Sequence, residues 1–128
     1  MKPLESDIDS REKVEHLVYS FYNQVREDDL IGHVFNSTIS DWESHLQNMV
    51  SFWSSILLDE GSYRGQPFPK HMKLGIDQRH FDRWLSLFHH TVDTHFQGVN
   101  AEEIKKRAST IGAIFSMKIE MLRKEQKG

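Results

Sequence analysis

The sequence predicts an all-α fold, and three observations lead to this prediction. Apolar residues recur at spacings of three and four along four segments, which is the pattern of a helix with one buried face. No segment alternates between apolar and polar residues over a useful length, so no strand is predicted. The predicted helices cover roughly 60% of the chain, against a usual share near one third in soluble proteins.

The first predicted helix spans about residues 10–27. Asp9 and Glu12, three residues apart, resemble a capping box at its start. The segment 28–40 mixes a short apolar patch with Gly, Asn, Ser and Thr, and we predict a turn or short helix with Phe35 pointing inward. The apolar stripe of the first helix consists of Val14, Leu17, Val18, Phe21, Tyr22 and Val25.

The second predicted helix spans about residues 41–58 and begins at a Ser-x-x-Glu capping box formed by Ser40 and Glu43. One histidine, His45, lies in the middle of its otherwise apolar face. The following residues 59–69 contain two glycines and two prolines, so this segment is irregular, with at most a turn of helix at 70–74. The apolar face consists of Trp42, His45, Leu46, Met49, Phe52, Trp53, Ile56 and Leu57.

The third predicted helix spans about residues 78–96, with Asp77 as its N-cap, Ile76 and Phe81 as a hydrophobic staple, and Gly98 at its end. Its stripe consists of Phe81, Trp84, Leu85, Phe88, Val92 and Phe96.

The fourth predicted helix spans about residues 101–126, and Asn100, with Glu103 three residues later, is predicted to cap it. Its stripe consists of Ile104, Ala108, Ile111, Phe115, Ile119 and Leu122. The length of 128 residues predicts one domain, with a core from about 8 to 122.

Composition removes several classes of function. The chain has no cysteine, which excludes disulfide scaffolds, thiolate zinc sites and iron–sulfur clusters, so imidazole or carboxylate must hold any metal. The net charge is -3 and the basic C-terminal region is interleaved with glutamates, so nucleic-acid binding is not predicted. No long apolar run is present, so we expect no membrane span and no signal peptide, and cytoplasmic residence by default.

The spacing of the residues excludes several kinds of catalytic or metal-binding site. No glutamate has a histidine three residues later, as a di-iron bundle requires, and Asp77 with His80 is only an approximation. The sequence also lacks a Gly-x-Ser-x-Gly elbow and a phosphate-binding glycine loop. The neighbours His89 and His90, with Asp93 and His95, could hold a surface zinc ion, but solvated polar side chains are roughly ten times as common in such a pattern, because adjacent helical residues point about 100° apart.

The remaining pattern favours a flat, buried cofactor. His45 lies among apolar residues of the second helix, Tyr22 and Trp84 add hydrogen-bond donors on two others, and a proline-bounded loop carries His71. Planar apolar surface with a few convergent donors and one imidazole on a constrained segment suits a haem with an axial histidine. Each residue also suits an ordinary core, so a haem-free helical interaction domain stays an alternative.

The order of these residues resembles the group III truncated haemoglobins. The likeness runs from about residue 8 to 122, and the paired-glycine motifs of groups I and II are absent. It implies a globin-like fold, the truncated 2-over-2 helical sandwich, in which 10–27 packs with 41–58 and 78–96 with 101–126 around a b-type haem. The matching motifs are Phe21-Tyr22, Val34-Phe35-Asn36, Trp42-Glu43-Ser44-His45, Phe52-Trp53, Tyr63-Arg64-Gly65-Gln66-Pro67, Lys70-His71-Met72 and Trp84-Leu85-Ser86-Leu87-Phe88.

The resemblance also implies residue roles. His71 corresponds to the proximal iron ligand, Phe35 to the aromatic residue that packs on the porphyrin, and Tyr22, His45 and Trp84 to the distal polar residues. We expect His45 to donate to the ligand, to act as a gate, or to bind iron itself. The remaining residues expected to contact the haem b are Met49, Phe52, Trp53, Tyr63, Phe81 and Phe88, with Arg64 and Lys70 beside the propionates, and Lys73, Arg79 and Arg83 as further propionate candidates.

The implied function is the binding of O₂, NO, CO and peroxide at a five-coordinate iron. Donors around the ligand would hold O₂ tightly, because a hydrogen bond to a charged partner contributes roughly 1.5–3 kcal/mol. Slow release suits chemistry on the gas, such as NO dioxygenation or peroxide reduction, supported by an unidentified reductase. The alternative is a gas-sensing module that acts through a partner, and we expect a monomer or weak dimer.

Overall fold

The computed structural model describes residues 7–58 and 78–127, and these two ranges contain helices and no strand. Each of the four predicted helices is confirmed to within two residues at either end, and the segment after the first contains a short helix. The helices are α1 (Arg11–Glu27), α2 (Gly32–Thr38), α3 (Trp42–Leu58), α4 (Gln78–His95) and α5 (Val99–Lys127).

The helices form two packed pairs, as the truncated globin sandwich requires. α1 packs against α3, and α4 packs against α5. α1 also contacts α4, which joins the two pairs, while α2 packs on α1 and α3 touches α5. The predicted stripes supply the core between them, except that the side chains of Phe115, Ile119 and Leu122 lie outside the described part. Residues with almost no exposure include Val14, Leu17, Phe21, Trp53, Phe88 and Ile104.

The predicted caps of α1 and α3 are wrong by one residue. Ser10, in an extended conformation, is the N-cap of α1, and its hydroxyl accepts a hydrogen bond from the Lys13 amide. Asp9 forms an ion pair with Lys13 Nζ at 2.8 Å. At α3, Asp41 Oδ1 accepts from the Ser44 amide at 3.1 Å, so Asp41 replaces Ser40 as the cap. A cap must be the last residue before the helical dihedrals begin, and the spacing of polar residues alone does not fix that position.

The cap of α5 comes from a distant residue. The two carboxylate oxygens of Asp7 accept from the amides of Asn100 and Ala101, both at 2.8 Å. Asn100, the predicted cap, instead donates from its side chain to the Ile8 carbonyl at 2.8 Å. Gly98 has φ of 135°, and a Cβ there would lie 2.6 Å from Asp7 Cγ, so a side chain would displace the carboxylate.

α4 brings one face to the core and another to α5. The predicted cap Asp77 and staple residue Ile76 lie outside the described residues. Gly112 of α5 faces Leu85, since a Cβ on Gly112 would lie 3.3 Å from a Leu85 methyl carbon. This close approach is what lets the two helices pack. In residues 7–58 and 78–127, no helix is both long and apolar enough to span a membrane.

Candidate functional site

The described site residues come from four helices. Tyr22 lies on α1, Phe35 on α2, and His45 on α3, where it is half-buried. The predicted haem-contact residues of α3 and α4 and the predicted distal residue Trp84 are all at most 9% exposed, as are Tyr22 and Phe35. They are Met49, Phe52, Trp53, Phe81, Trp84 and Phe88. Tyr63, Arg64, Lys70, His71 and Lys73 lie outside the described residues, so the axial ligand and these propionate partners stay predictions.

Three rings pack around Tyr22, and we call the four together the Tyr22 cluster: Tyr22, Phe35, Trp42 and His45. The Tyr22 ring packs edge-on against His45, with centroids 5.2 Å apart, and lies 6.2 Å from Phe35 and 5.9 Å from Trp42. Trp42 also packs edge-on against His45 at 5.8 Å. The structure therefore brings together Tyr22, Phe35 and His45, which the sequence placed on three separate segments.

A second aromatic group connects Trp84 to this cluster. Phe88 stacks between two indoles, 5.7 Å from Trp84 and 5.3 Å from Trp53. Phe21 packs edge-on against Trp84 at 5.8 Å and against its neighbour Tyr22 at 4.8 Å. The ring of Phe21 thus links Trp84 to Tyr22 on the buried side of α1 and α4.

His45 has an unusual electrostatic environment. Its Nε2 atom is buried and has no hydrogen-bond partner among the described residues. Burial lowers the pKa of His45 to about 4, because the charged imidazolium loses hydration there. The ring is therefore neutral near pH 7, and an unsatisfied buried nitrogen typically costs about 1–3 kcal/mol. A ligand with a polar atom in this space would remove that cost.

Sequence reasoning missed a residue that secures the outer side of the Tyr22 cluster. The guanidinium of Arg26 lies 4.7 Å from the Trp42 ring centroid, a cation–π contact on the ring that packs against His45. A signal was present, because Arg26 follows Tyr22 by four residues and so projects from the same side of α1. The partner ring, on α3, could not be identified from spacing.

Arg83, one of the further propionate candidates, has a different partner. Its Nε donates to Asp28 Oδ1 at 2.7 Å, in an ion pair between α4 and the turn that follows α1. The carboxylate is almost fully buried. Arg83 is therefore committed to the scaffold, and we no longer assign it to a propionate.

Two members of the group considered above as a surface zinc site, His89 and Asp93, contact α5. His89 Nε2 lies 3.2 Å from the Lys105 carbonyl oxygen and 3.3 Å from Ser109 Oγ. Asp93 forms an ion pair with Lys105 Nζ at 2.7 Å. These contacts give His89 and Asp93 a structural role between α4 and α5. Within the described ranges, no three potential metal ligands converge.

The described site residues fit a haem chemically. They supply flat aromatic rings, which suit a porphyrin, and three side chains with polar groups, Tyr22, His45 and Trp84, on α1, α3 and α4. A small polar ligand could pair with His45 Nε2, for which the described part of the chain offers no hydrogen-bond partner.

Comparison with known proteins agrees with this architecture. The family model of the bacterial-like globins matches residues 6–121. The group 3 truncated haemoglobin Ctb of Campylobacter jejuni is 33% identical over 111 residues, covering 83% of this chain and 87% of that protein. The crystal structure of the group III truncated haemoglobin from Campylobacter jejuni superimposes with a TM-score of 0.75 at 32% identity, covering 86% of this chain and 91% of that chain. The chain therefore belongs to the bacterial-like globins and, among them, to the group III truncated haemoglobins.

Proposed function

We propose that this globin carries haem b on His71 and binds O₂ and other diatomic gases beside Tyr22, His45 and Trp84. The observation that supports it most directly is the buried Nε2 of His45, which has no hydrogen-bond partner among residues 7–58 and 78–127; the ring centroids of His45 and Tyr22 lie 5.2 Å apart. A scaffold histidine would normally have its nitrogens satisfied, as most buried polar atoms do. A histidine that serves an exchangeable ligand has a nitrogen left for that ligand.

When bound, the haem iron supplies the gas-binding position and gives electron density to the gas. The protein contributes the donors around that position. His45 is neutral because burial lowers its pKa, so it carries one N–H and can donate without bringing a charge into the pocket. The hydroxyl of Tyr22 and the indole N–H of Trp84 are the other donors assigned to the ligand.

The aromatic rings hold these donors in place and exclude water. Trp84 stacks on Phe88, and Tyr22 contacts Phe35, Trp42 and His45. Side chains confined in this way lose little further entropy when a ligand arrives, so each hydrogen bond contributes more fully to affinity.

The expected consequence is slow release of O₂. Two donors at roughly 1.5–3 kcal/mol each would slow dissociation by two to four orders of magnitude. Slow release favours redox chemistry on the gas, with NO dioxygenation or peroxide reduction as the reaction classes and a reductase as partner. The cytoplasm is the compartment that we predict for this chemistry.

The test is an absorption spectrum of the purified protein after reconstitution with hemin. We expect a Soret band in the unchanged protein and loss of the axial-histidine signature in His71→Ala. Tyr22→Phe and Trp84→Phe should keep the band and speed O₂ dissociation. No Soret band in the unchanged protein would reject the haem assignment, and unchanged dissociation in both distal variants would reject the assigned donors.

A further inference from the structure

One buried carboxylate joins three of the elements that carry the site. Asp28 Oδ2 accepts hydrogen bonds from the amides of Leu30 and Ile31, each at 3.0 Å. Its other oxygen, Oδ1, accepts from Arg83 Nε at 2.7 Å. The Asp28 side chain is only 5% exposed, so these bonds replace nearly all of its hydration.

The backbone around Asp28 is equally constrained. Its amide donates to the Val25 carbonyl at 3.1 Å, and its carbonyl accepts from the Gly32 amide at 2.9 Å. A Cβ on Gly32 would lie 2.9 Å from the Arg26 carbonyl oxygen, so α2 starts in close contact with the end of α1. The turn between the two helices therefore leaves little room for adjustment.

The charge of Asp28 is maintained by its partners. Burial on its own would raise the pKa of this carboxyl, but hydrogen bonds from the Ile31 amide, Arg83 and the Leu30 amide lower it below the ordinary value. Asp28 is thus a carboxylate near neutral pH, and its bond to Arg83 is charge-assisted.

The elements held by Asp28 carry Tyr22, Phe35 and Trp84. Tyr22 lies on α1, and the Asp28 amide donates to the Val25 carbonyl in the last turn of that helix. Phe35 lies on α2, which begins directly after Ile31, whose amide donates to Asp28. Trp84 follows Arg83 directly on α4. The relative placement of these three rings therefore depends on one junction, which we call the Asp28 junction: Asp28, Leu30, Ile31 and Arg83.

We propose that Asp28 is a positioning residue for the distal pocket, which sets the separation of the Tyr22 and Trp84 donors by fixing α4 against the α1–α2 turn. The proposal rests on the proposed function for what those donors hold. Apolar packing alone permits small sliding of helices, whereas a charge-assisted bond at 2.7 Å fixes one point of contact. A donor displaced by a few tenths of an ångström changes its hydrogen bond to a ligand measurably.

The experiment compares Asp28→Asn and Arg83→Leu with Asp93→Asn in the hemin-reconstituted protein. Asp93→Asn is the control, because it weakens an ion pair of the same length, to Lys105, between α4 and α5 and nine residues from Trp84 along α4, although the Asp93 side chain is more exposed. The readouts are the CO stretching frequency, which reports the polarity around the ligand, and the O₂ dissociation rate. We expect both Asp28-junction variants to shift the frequency and change the rate at least threefold, and the control to do neither.

A purely structural role predicts a different result. Asp28→Asn and Arg83→Leu would then lower the melting temperature while the CO stretch and the O₂ dissociation rate stay those of the unchanged protein, and this outcome overturns the proposal. Arg83→Lys keeps the charge and loses the planar guanidinium, so we expect an intermediate shift. If Asp28→Asn does not fold, the two Arg83 variants decide the question.

A measurement without haem separates this proposal from the proposed function. The indole N–H resonance of Trp84, assigned through Trp84→Phe, is recorded in hemin-free protein. We expect it to shift, and its hydrogen exchange to accelerate, in Arg83→Leu but not in Asp93→Asn. Failure to bind hemin would reject the proposed function alone. An unchanged Trp84 resonance in Arg83→Leu would reject the positioning role of Asp28.

Discussion

His45 on α3 and His89 on α4 have similar partial burial, and their environments differ in one respect. His89 Nε2 lies within hydrogen-bond distance of the Lys105 carbonyl and Ser109 Oγ. His45 Nε2 is buried among aromatic rings, and no described residue satisfies it. The contacts of His89 stabilise the pairing of α4 with α5, while the environment of His45 keeps a nitrogen available at a free-energy cost.

This difference teaches how to separate scaffold from site when both use the same residue type. Natural cores satisfy nearly all buried polar atoms, so an exception calls for an explanation, and we assign His45 Nε2 to a bound ligand. It also predicts that replacing His45 by leucine will speed ligand release without loss of stability, whereas replacing His89 by leucine will lower stability and leave release unchanged.

The largest effect is expected from His45→Leu. The O₂ dissociation rate of the hemin-reconstituted protein should rise about tenfold to a hundredfold, because a donor to a partly charged ligand is lost. The free energy of unfolding should stay the same or increase, since leucine removes an unsatisfied buried nitrogen. Stopped-flow ligand displacement and urea denaturation measure the two quantities. A dissociation rate within twofold of the unchanged protein would show that His45 does not donate.

The next effect concerns acid stability. The pKa of His45 is about 4 in the folded protein, below the ordinary histidine value, so the unfolded chain takes up this proton at a higher pH than the folded chain. As far as His45 is concerned, the free energy of unfolding is therefore greatest above about pH 6.5 and decreases as the pH falls toward 4. Urea denaturation between these values should show a weaker pH dependence in His45→Leu. Equal slopes in the two proteins would contradict the buried, neutral state of His45.

A smaller effect is expected from His89→Leu. Loss of its contacts to Lys105 and Ser109 should lower the free energy of unfolding by about 1–2 kcal/mol, while O₂ dissociation stays unchanged. Ser109→Ala is the control and should lower stability less, because His89 can still donate to the Lys105 carbonyl. An altered dissociation rate in His89→Leu would mean that the α4–α5 contact reaches the pocket.

The smallest effect is expected from Arg26→Gln. This change removes the cation–π contact with Trp42, which contributes about 0.5–1 kcal/mol at exposed sites. Chemical denaturation should show this loss. The pKa of His45 should rise slightly because Trp42 covers it less firmly, as NMR titration of the imidazole can detect. A gain in stability would argue that Arg26 does not hold Trp42 in solution.

Much of the fold follows from local sequence. Periodicity located the four long helices, because one buried stripe per helix is a property of neighbouring residues. The caps were less predictable. Ser10 and Asp41 each lie one residue after the predicted caps, Asp9 and Ser40, and only the point at which the helical dihedrals begin decides which of the two neighbours is the cap. The cap of α5 was beyond local reasoning, because its acceptor, Asp7, is 93 residues from Asn100.

The sequence indicated which residues are buried at the site, but not which side chains contact one another. The burial predicted for Phe35, and for Phe88 and the other apolar contact residues of α3 and α4, is confirmed in the described ranges. The contact of Arg26 with Trp42 and the bond of Arg83 to Asp28 were not predicted, because each joins separate helices whose relative rotation depends on the whole core. The burial of His45 Nε2 without a described hydrogen-bond partner was not predicted either, because it also depends on how the helices pack.

The link between Asp7 and the start of α5 has a consequence for the order of folding. It closes a loop of more than ninety residues, for which the chain entropy cost is about 4 kcal/mol or more. Such a contact forms only after the intervening helices have brought the ends together. During synthesis, Asp7 leaves the ribosome long before Asn100, so it cannot form this hydrogen bond until the start of α5 has been made. We expect the N-terminal segment to acquire protection from hydrogen exchange late in refolding, after α1, α3 and α4 have packed.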